Sequence, residues 1–182
     1  MLCPSTGSVA PVLLRSTSTV SYAMTESRNV LILGIGNSLL RDEGAGIHAL
    51  NRLREELAGH DDISFIDGGT LSFALAGHIE DASRLIVIDA AQLDAAPGHS
   101  RVFEGEAMDE FLGGNRKRSV HEVSLLDLMA IALLADHLPQ RRALIGIQPA
   151  EIDWGEHPSA AVAAAMPQVC AQARKLIEEW RT

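Results

Sequence analysis

Three short, unbroken apolar runs constrain the fold of this chain more than any other feature: Val30-Leu31-Ile32-Leu33, Leu85-Ile86-Val87-Ile88 and Ala143-Leu144-Ile145-Gly146-Ile147. A strand with one wet face alternates apolar and polar residues, so a run that is apolar throughout reads as a strand covered on both faces. Ile63-Ser64-Phe65-Ile66 is a shorter candidate with one polar break. Helical patterns separate these runs. Gly44 to Ala58 carries Leu50, Leu53 and Leu57 on one face, and Leu71 to Ile79 makes a short second helix. His121 to Leu138 spaces Val123, Leu126, Met129, Ile131 and Leu133 helically before Pro139 stops it. Ser159 to Trp180 forms the last helix, with a kink or break expected at Pro167. Strands alternating with helices specify an α/β domain built on a mainly parallel sheet.

One connection departs from that pattern. Between Ile88 and the strand-like run Arg101-Val102-Phe103-Glu104 the chain has Pro97, Gly98 and no helical period. A parallel crossover needs a dozen or more residues and usually a helix, so this fourth strand is expected to run antiparallel in a mixed sheet. Gly113-Gly114-Asn115-Arg116-Lys117-Arg118 reads as an exposed loop holding the chain's one basic cluster.

Length and charge narrow the function. With 182 residues, 47% of them hydrophobic, the chain can bury one sizeable core. A formal net charge of −9 opposes phosphate backbones and anionic membrane surfaces, and no apolar run approaches the roughly 20 residues of a spanning helix. Cys3 and Cys170 form no disulfide framework. Residues 1–25 hold nine Ser or Thr, one basic residue and no acid, without apolar periodicity. They read as a disordered or nonfunctional extension, leaving 26–182 as a single α/β domain.

The chemistry concentrates at strand ends. After the first run comes Gly34-Ile35-Gly36-Asn37-Ser38-Leu39-Leu40-Arg41-Asp42-Glu43-Gly44-Ala45-Gly46. It fails as a dinucleotide fingerprint, because Leu39 stands where the third glycine belongs and two carboxylates sit where a phosphate would dock. Asp67 ends the second strand before a glycine turn, and Asp89 ends the third. A carboxylate at the end of a buried strand is costly unless it faces a cleft, a partner or a metal. If strands two and three flank strand one, Glu43 and Asp89 face each other across the crevice where α/β sheets bind ligands. His121, at a helix start beside Glu122, would add an imidazole to two carboxylates, a set suited to a borderline divalent metal with open positions. His60, His78, His99, His137 and His157 lie in settings that favour exposure. No G-x-S-x-G, H-E-x-x-H or phosphate-loop motif occurs. On residues alone, an enzyme and a noncatalytic metal- or ligand-binding α/β module both remain.

Gly34-Ile35-Gly36-Asn37 with Asp42-Glu43-Gly44 and Gly46, then Asp67-Gly68-Gly69-Thr70, Ile88-Asp89-Ala90, His121-Glu122 and Gly146-Ile147-Gln148-Pro149, in that order, resemble the hydrogenase maturation endopeptidases. The likeness runs from about Val30 to about Trp180. It implies a three-layer α/β/α sandwich around a mixed five-stranded sheet with one antiparallel strand. It also implies an endopeptidase, aspartyl-type or metal-dependent, that trims the C-terminal extension of a nickel-iron hydrogenase large-subunit precursor. The family's metal ligands fall on Glu43, Asp89 and His121; Glu43 and Asp89 are expected to be catalytic as well, with Asp67 a candidate catalytic or positioning residue. No permanent cofactor is expected, because the nickel arrives in the precursor, which is the expected partner in a cytoplasmic setting.

Overall fold

A computed structural model describes residues 29–115 and 124–182. Its five strands, β1 (Val30–Gly34), β2 (Ile63–Asp67), β3 (Arg84–Ala90), β4 (Ser100–Glu104) and β5 (Arg141–Ile147), form one sheet in the order β2-β1-β3-β5-β4. All pairings are parallel except β4 with β5, where Ser100 lies opposite Ile147 and Glu104 opposite Ala143. The expected antiparallel fourth strand is therefore present, reached by a helix-free connection. The residues of 1–25 fall outside the described part.

The helices are α1 (Ala45–Glu56), α2 (Ala76–Glu80), α3 (Glu106–Asn115), α4 (Leu125–Leu134) and α5 (Ala160–Arg181). Because β1, β3 and β5 are covered on both faces, the core divides in two. On one side Val30, Ile32, Ile86, Ile88 and Ile145 pack against Leu50 and Leu53 of α1 and against α5 from Val162 to Trp180. On the other, Leu31, Leu33, Leu85, Val87 and Leu144 meet Ile79 of α2, Met108 of α3 and Leu128 of α4. The result is the expected three-layer sandwich.

Three local expectations change. Pro167 does not break α5, which is continuous from Ala160 to Arg181. Its ring and Ala163, whose carbonyl loses its partner, both lie on the exposed face where water can replace the missing bond. Burial of Val162 and Met166 before it and Val169, Leu176, Ile177 and Trp180 after it, at about 1.5–3 kcal/mol for each large side chain, outweighs a defect of about 3 kcal/mol. Gly113 and Gly114 sit in the last turns of α3, not in a loop. That helix is held by buried Met108, by Phe111 stacked 4.2 Å from Phe103 and by an ion pair between Asp109 and Arg142. Finally, α4 buries Leu125, Leu128, Met129 and Ala132, leaving Leu133 exposed.

Candidate active site

The chain leaves β1, covers one face with α1, returns along β2 and crosses to the other face through α2 before β3. The connections thus diverge at the carboxyl ends of β1 and β3, where an open α/β sheet has a crevice. Two glycines let the first loop enter it. Gly36 has φ 128°, and a Cβ there would collide with the Glu43 carbonyl. At Gly46 a Cβ would overlap the carbonyl oxygens of Ile88 and Ile35, so only glycine lets α1 start flush against β1 and β3. A 3-10 turn, Arg41–Gly44, precedes α1 and packs against β3.

That turn sends its two adjacent carboxylates in different directions. Asp42 has no exposed surface. Its Oδ2 accepts the N–H groups of Ala150 (2.8 Å) and Glu151 (2.9 Å) and the Ser159 hydroxyl (2.8 Å), and its Oδ1 accepts the Ser159 N–H (2.6 Å). Burial alone would raise the Asp42 pKa, but the hydrogen bonds from Glu151, Ser159 and Ala150 together hold it below the ordinary carboxylate value. Asp42 is therefore a clamp that fastens the loop after β5, and the Ser159 cap of α5, to the loop after β1. Sequence reading found the Asp-Glu pair but had no signal to separate a clamp from a site residue.

Glu43, half-buried, turns to the crevice and reaches Asp89 electrostatically. Asp89, half-buried near the carboxyl end of β3, has its pKa pushed up to about 7. Burial is the main cause; the Ala90 N–H opposes it, and the negative charge of Glu43 adds to it. Two mutually repelling carboxylates, one of which holds its proton near neutrality, make a place where an incoming cation would be favoured.

Asp67 stands apart from this pair. It shares a register row with Gly34 and Ile88, and the Ile88 side chain packs on the α1 side of the sheet. Alternation then places Asp67 on that side and Asp89, one residue further on, on the other, two strand spacings or about 10 Å across. Asp67 is exposed, and its Oδ1 accepts the Gly69 N–H at 2.9 Å, shaping the lip of the crevice. His121 lies outside the described residues. Among the described residues no three His, Cys, Asp or Glu side chains gather as a metal-binding group.

Further support for the crevice comes from β5. Buried Gln148 accepts the Leu93 N–H (2.8 Å) through Oε1 and donates to Gln92 Oε1 (3.0 Å), fixing the chain just beyond Asp89. The five histidines expected at the surface are exposed. His48, which carried no sequence signal, is half-buried on α1; burial first, then the nearby charge of His157, lowers its pKa. Among the described residues no helix is long and apolar enough to cross a membrane.

Comparison with known proteins gives a consistent picture. Residues 47–176 match the family model described as hydrogenase maturation protease. The hydrogenase expression/formation protein HupD of Rhizobium leguminosarum bv. viciae is 33% identical over 152 residues, covering 83% of this chain and 75% of the relative. Hydrogenase 2 maturation protease of Escherichia coli K12 is 28% identical over 125 residues, covering 68% and 75%. The solution structure of an endopeptidase from Escherichia coli superposes with a TM-score of 0.76 at 25% identity, over 83% of this chain and 93% of that one. The nickel-iron hydrogenase maturation protease HybD of Thermococcus kodakarensis gives a TM-score of 0.63 at 30% identity, over 82% and 99%.

Proposed function

The chain belongs to the hydrogenase maturation protease family, whose members are peptide hydrolases that act in hydrogenase processing, and from that membership we propose that it removes the C-terminal extension of a nickel-iron hydrogenase large-subunit precursor once nickel has been inserted. The observation that carries this reading is the pairing of Glu43 with Asp89 at the carboxyl ends of β1 and β3, with the Asp89 pKa raised to about 7. Such a pair favours a divalent cation presented from outside, because the cation offsets both the repulsion and the burial. Nickel is then a feature of the substrate, and Glu43 and Asp89 recognise it together with His121, the third ligand of this proposal.

Docking of the metal would hold the neighbouring peptide bond at a fixed place over the crevice, which converts an encounter into an oriented reaction. Asp67, on the adjoining lip, is the candidate catalytic or positioning carboxylate for the water that attacks the carbonyl. The reading requires no permanent cofactor.

The test is mass spectrometry of the cognate precursor, nickel-loaded and nickel-free, after incubation with the protein. Loss of one C-terminal peptide from the loaded form alone is the expected result. Cutting of both forms would refute the nickel checkpoint and keep the protease; cutting of neither would refute C-terminal processing of that precursor. Glu43→Gln keeps the shape and removes the charge, so it should cut loaded precursor at least about 100-fold more slowly, and a parental rate would remove Glu43 from the ligand set.

A further inference from the structure

Among the described residues six large apolar side chains are strongly exposed: Leu39, Phe73, Leu133, Leu134, Ile152 and Trp154. Leu133 and Leu134 end α4 and lie toward the amino ends of the strands, since β5 begins at Arg141. The other four lie at the opposite pole, on the connections that leave β1, β2 and β5 at the mouth of the crevice.

Three of these four come from two loops joined backbone to backbone. Leu40 bridges Gly155 in parallel, with the Gly155 N–H donating to the Leu39 carbonyl (2.9 Å) and the Arg41 N–H donating to the Gly155 carbonyl (2.8 Å). This pairing sets Leu39 beside Trp154, with Ile152 two residues earlier on the same loop. Trp154 is 75% exposed, Ile152 60% and Leu39 49%. The two loops are further fastened by Asp42, through Ala150 and Glu151, so the apolar side chains stand on a fixed backbone. The flanking charges Arg41 and Glu151 pair with each other at 2.6 Å, while exposed Asp153, between Ile152 and Trp154, and exposed Glu156 give the apolar patch an acidic border.

Position completes the argument. Leu39 precedes Glu43 by four residues, and the Glu43 N–H donates to the Leu40 carbonyl (3.0 Å). A polypeptide whose reacting bond lies over Glu43 and Asp89 is then within reach of this rim. An exposed apolar patch marks an interaction surface, and tryptophan is among the residue types enriched at positions that dominate binding energy. We infer that Leu39, Ile152 and Trp154 form the docking surface for an apolar stretch of the precursor flanking the bond to be cut. The inference rests on the function proposed above and adds the contact that selects the substrate.

Steady-state cleavage of nickel-loaded precursor tests it, using the parent, Trp154→Ser, Ile152→Ser and Leu134→Ser. Trp154→Ser should raise KM about 30-fold with little change in kcat, as expected for loss of a dominant contact. Ile152→Ser should raise it less, and Leu134→Ser, the same kind of change at the far pole, should match the parent. If the parent cuts while both rim variants keep its KM, the docking surface is refuted and the protease reading stands. A parent that cuts no precursor overturns both. Sedimentation without precursor covers the remaining occupant: a dimer that Trp154→Ser dissociates would assign the rim to a second copy and refute the inference.

Discussion

Replacing Asp42 by Asn is nearly isosteric, yet it strikes a fully buried and heavily hydrogen-bonded side chain near the site. The carboxylate accepts four hydrogen bonds, three at Oδ2 and one at Oδ1, and has no exposed surface. An amide placed with its oxygen at the Oδ2 position keeps three of them as neutral bonds and turns its NH2 against the Ser159 N–H. Bonds to a charged group contribute about 1.5–3 kcal/mol and neutral ones about 0.5–1.5, while a stranded buried donor costs about 1–3. Relief of the buried charge offsets part of that loss, leaving a net destabilisation of about 3 kcal/mol at pH 7. For a domain of this size that is a fall in Tm of about 6–12 °C, readable by calorimetry. The pH dependence has a definite sign. Because the folded pKa is lowered, the unfolded chain takes up the proton first as pH falls, so the contribution is full above the unfolded carboxylate value and fades as pH drops through the folded one. The parent and Asp42→Asn melting curves should converge in acid. A gap below about 2 °C at pH 7, or one that does not narrow in acid, would refute the clamp.

Asp89→Asn should behave oppositely, losing cleavage while gaining stability. The folded protein holds the Asp89 proton up to about pH 7, so parent stability declines as pH rises from about 4 to about 7. The ceiling is about 4 kcal/mol; partial exposure reduces the expected gain to about 1–2 kcal/mol at pH 8 in chelator, and an unchanged or lower Tm there would contradict the burial argument. Gly46→Ala should cost about 3 kcal/mol or more, because the new methyl meets backbone oxygens of Ile88 and Ile35 that cannot swing aside. A parental melting temperature for Gly46→Ala would show that α1 does not sit flush on the strands.

The strands were legible because burial on both faces writes itself as unbroken apolar sequence, and Ile88-Asp89 exposed the site by placing a charge where that run stops. The antiparallel β4 was legible from a connection with no room for a helix. What escaped depends on tertiary contact. Nothing in Asp42-Glu43 distinguishes the residue that turns inward, since the deciding donors, Ala150, Glu151 and Ser159, are more than 100 positions away. Glycine propensity argued against a helix at Gly113-Gly114, but Met108, Phe111 and the Asp109–Arg142 pair hold α3 together through that stretch. Pro167 argued for a break that an exposed position on a deeply packed helix avoids.

The bonding of the rim carries a consequence for the partner. Loops that must order themselves on binding lose conformational entropy at that moment, and affinity falls accordingly. Here the loops bearing Leu39 and Trp154 are already immobilised when the chain folds, by the Leu40–Gly155 bridge and the Asp42 carboxylate. The adaptation needed to seat a peptide bond over Glu43 and Asp89 then falls to the substrate. If the proposed docking holds, a precursor whose tail is already packed down would be a poor client and one whose tail hangs loose a good one, so the folding state of the client would join nickel loading in deciding when the cut is made.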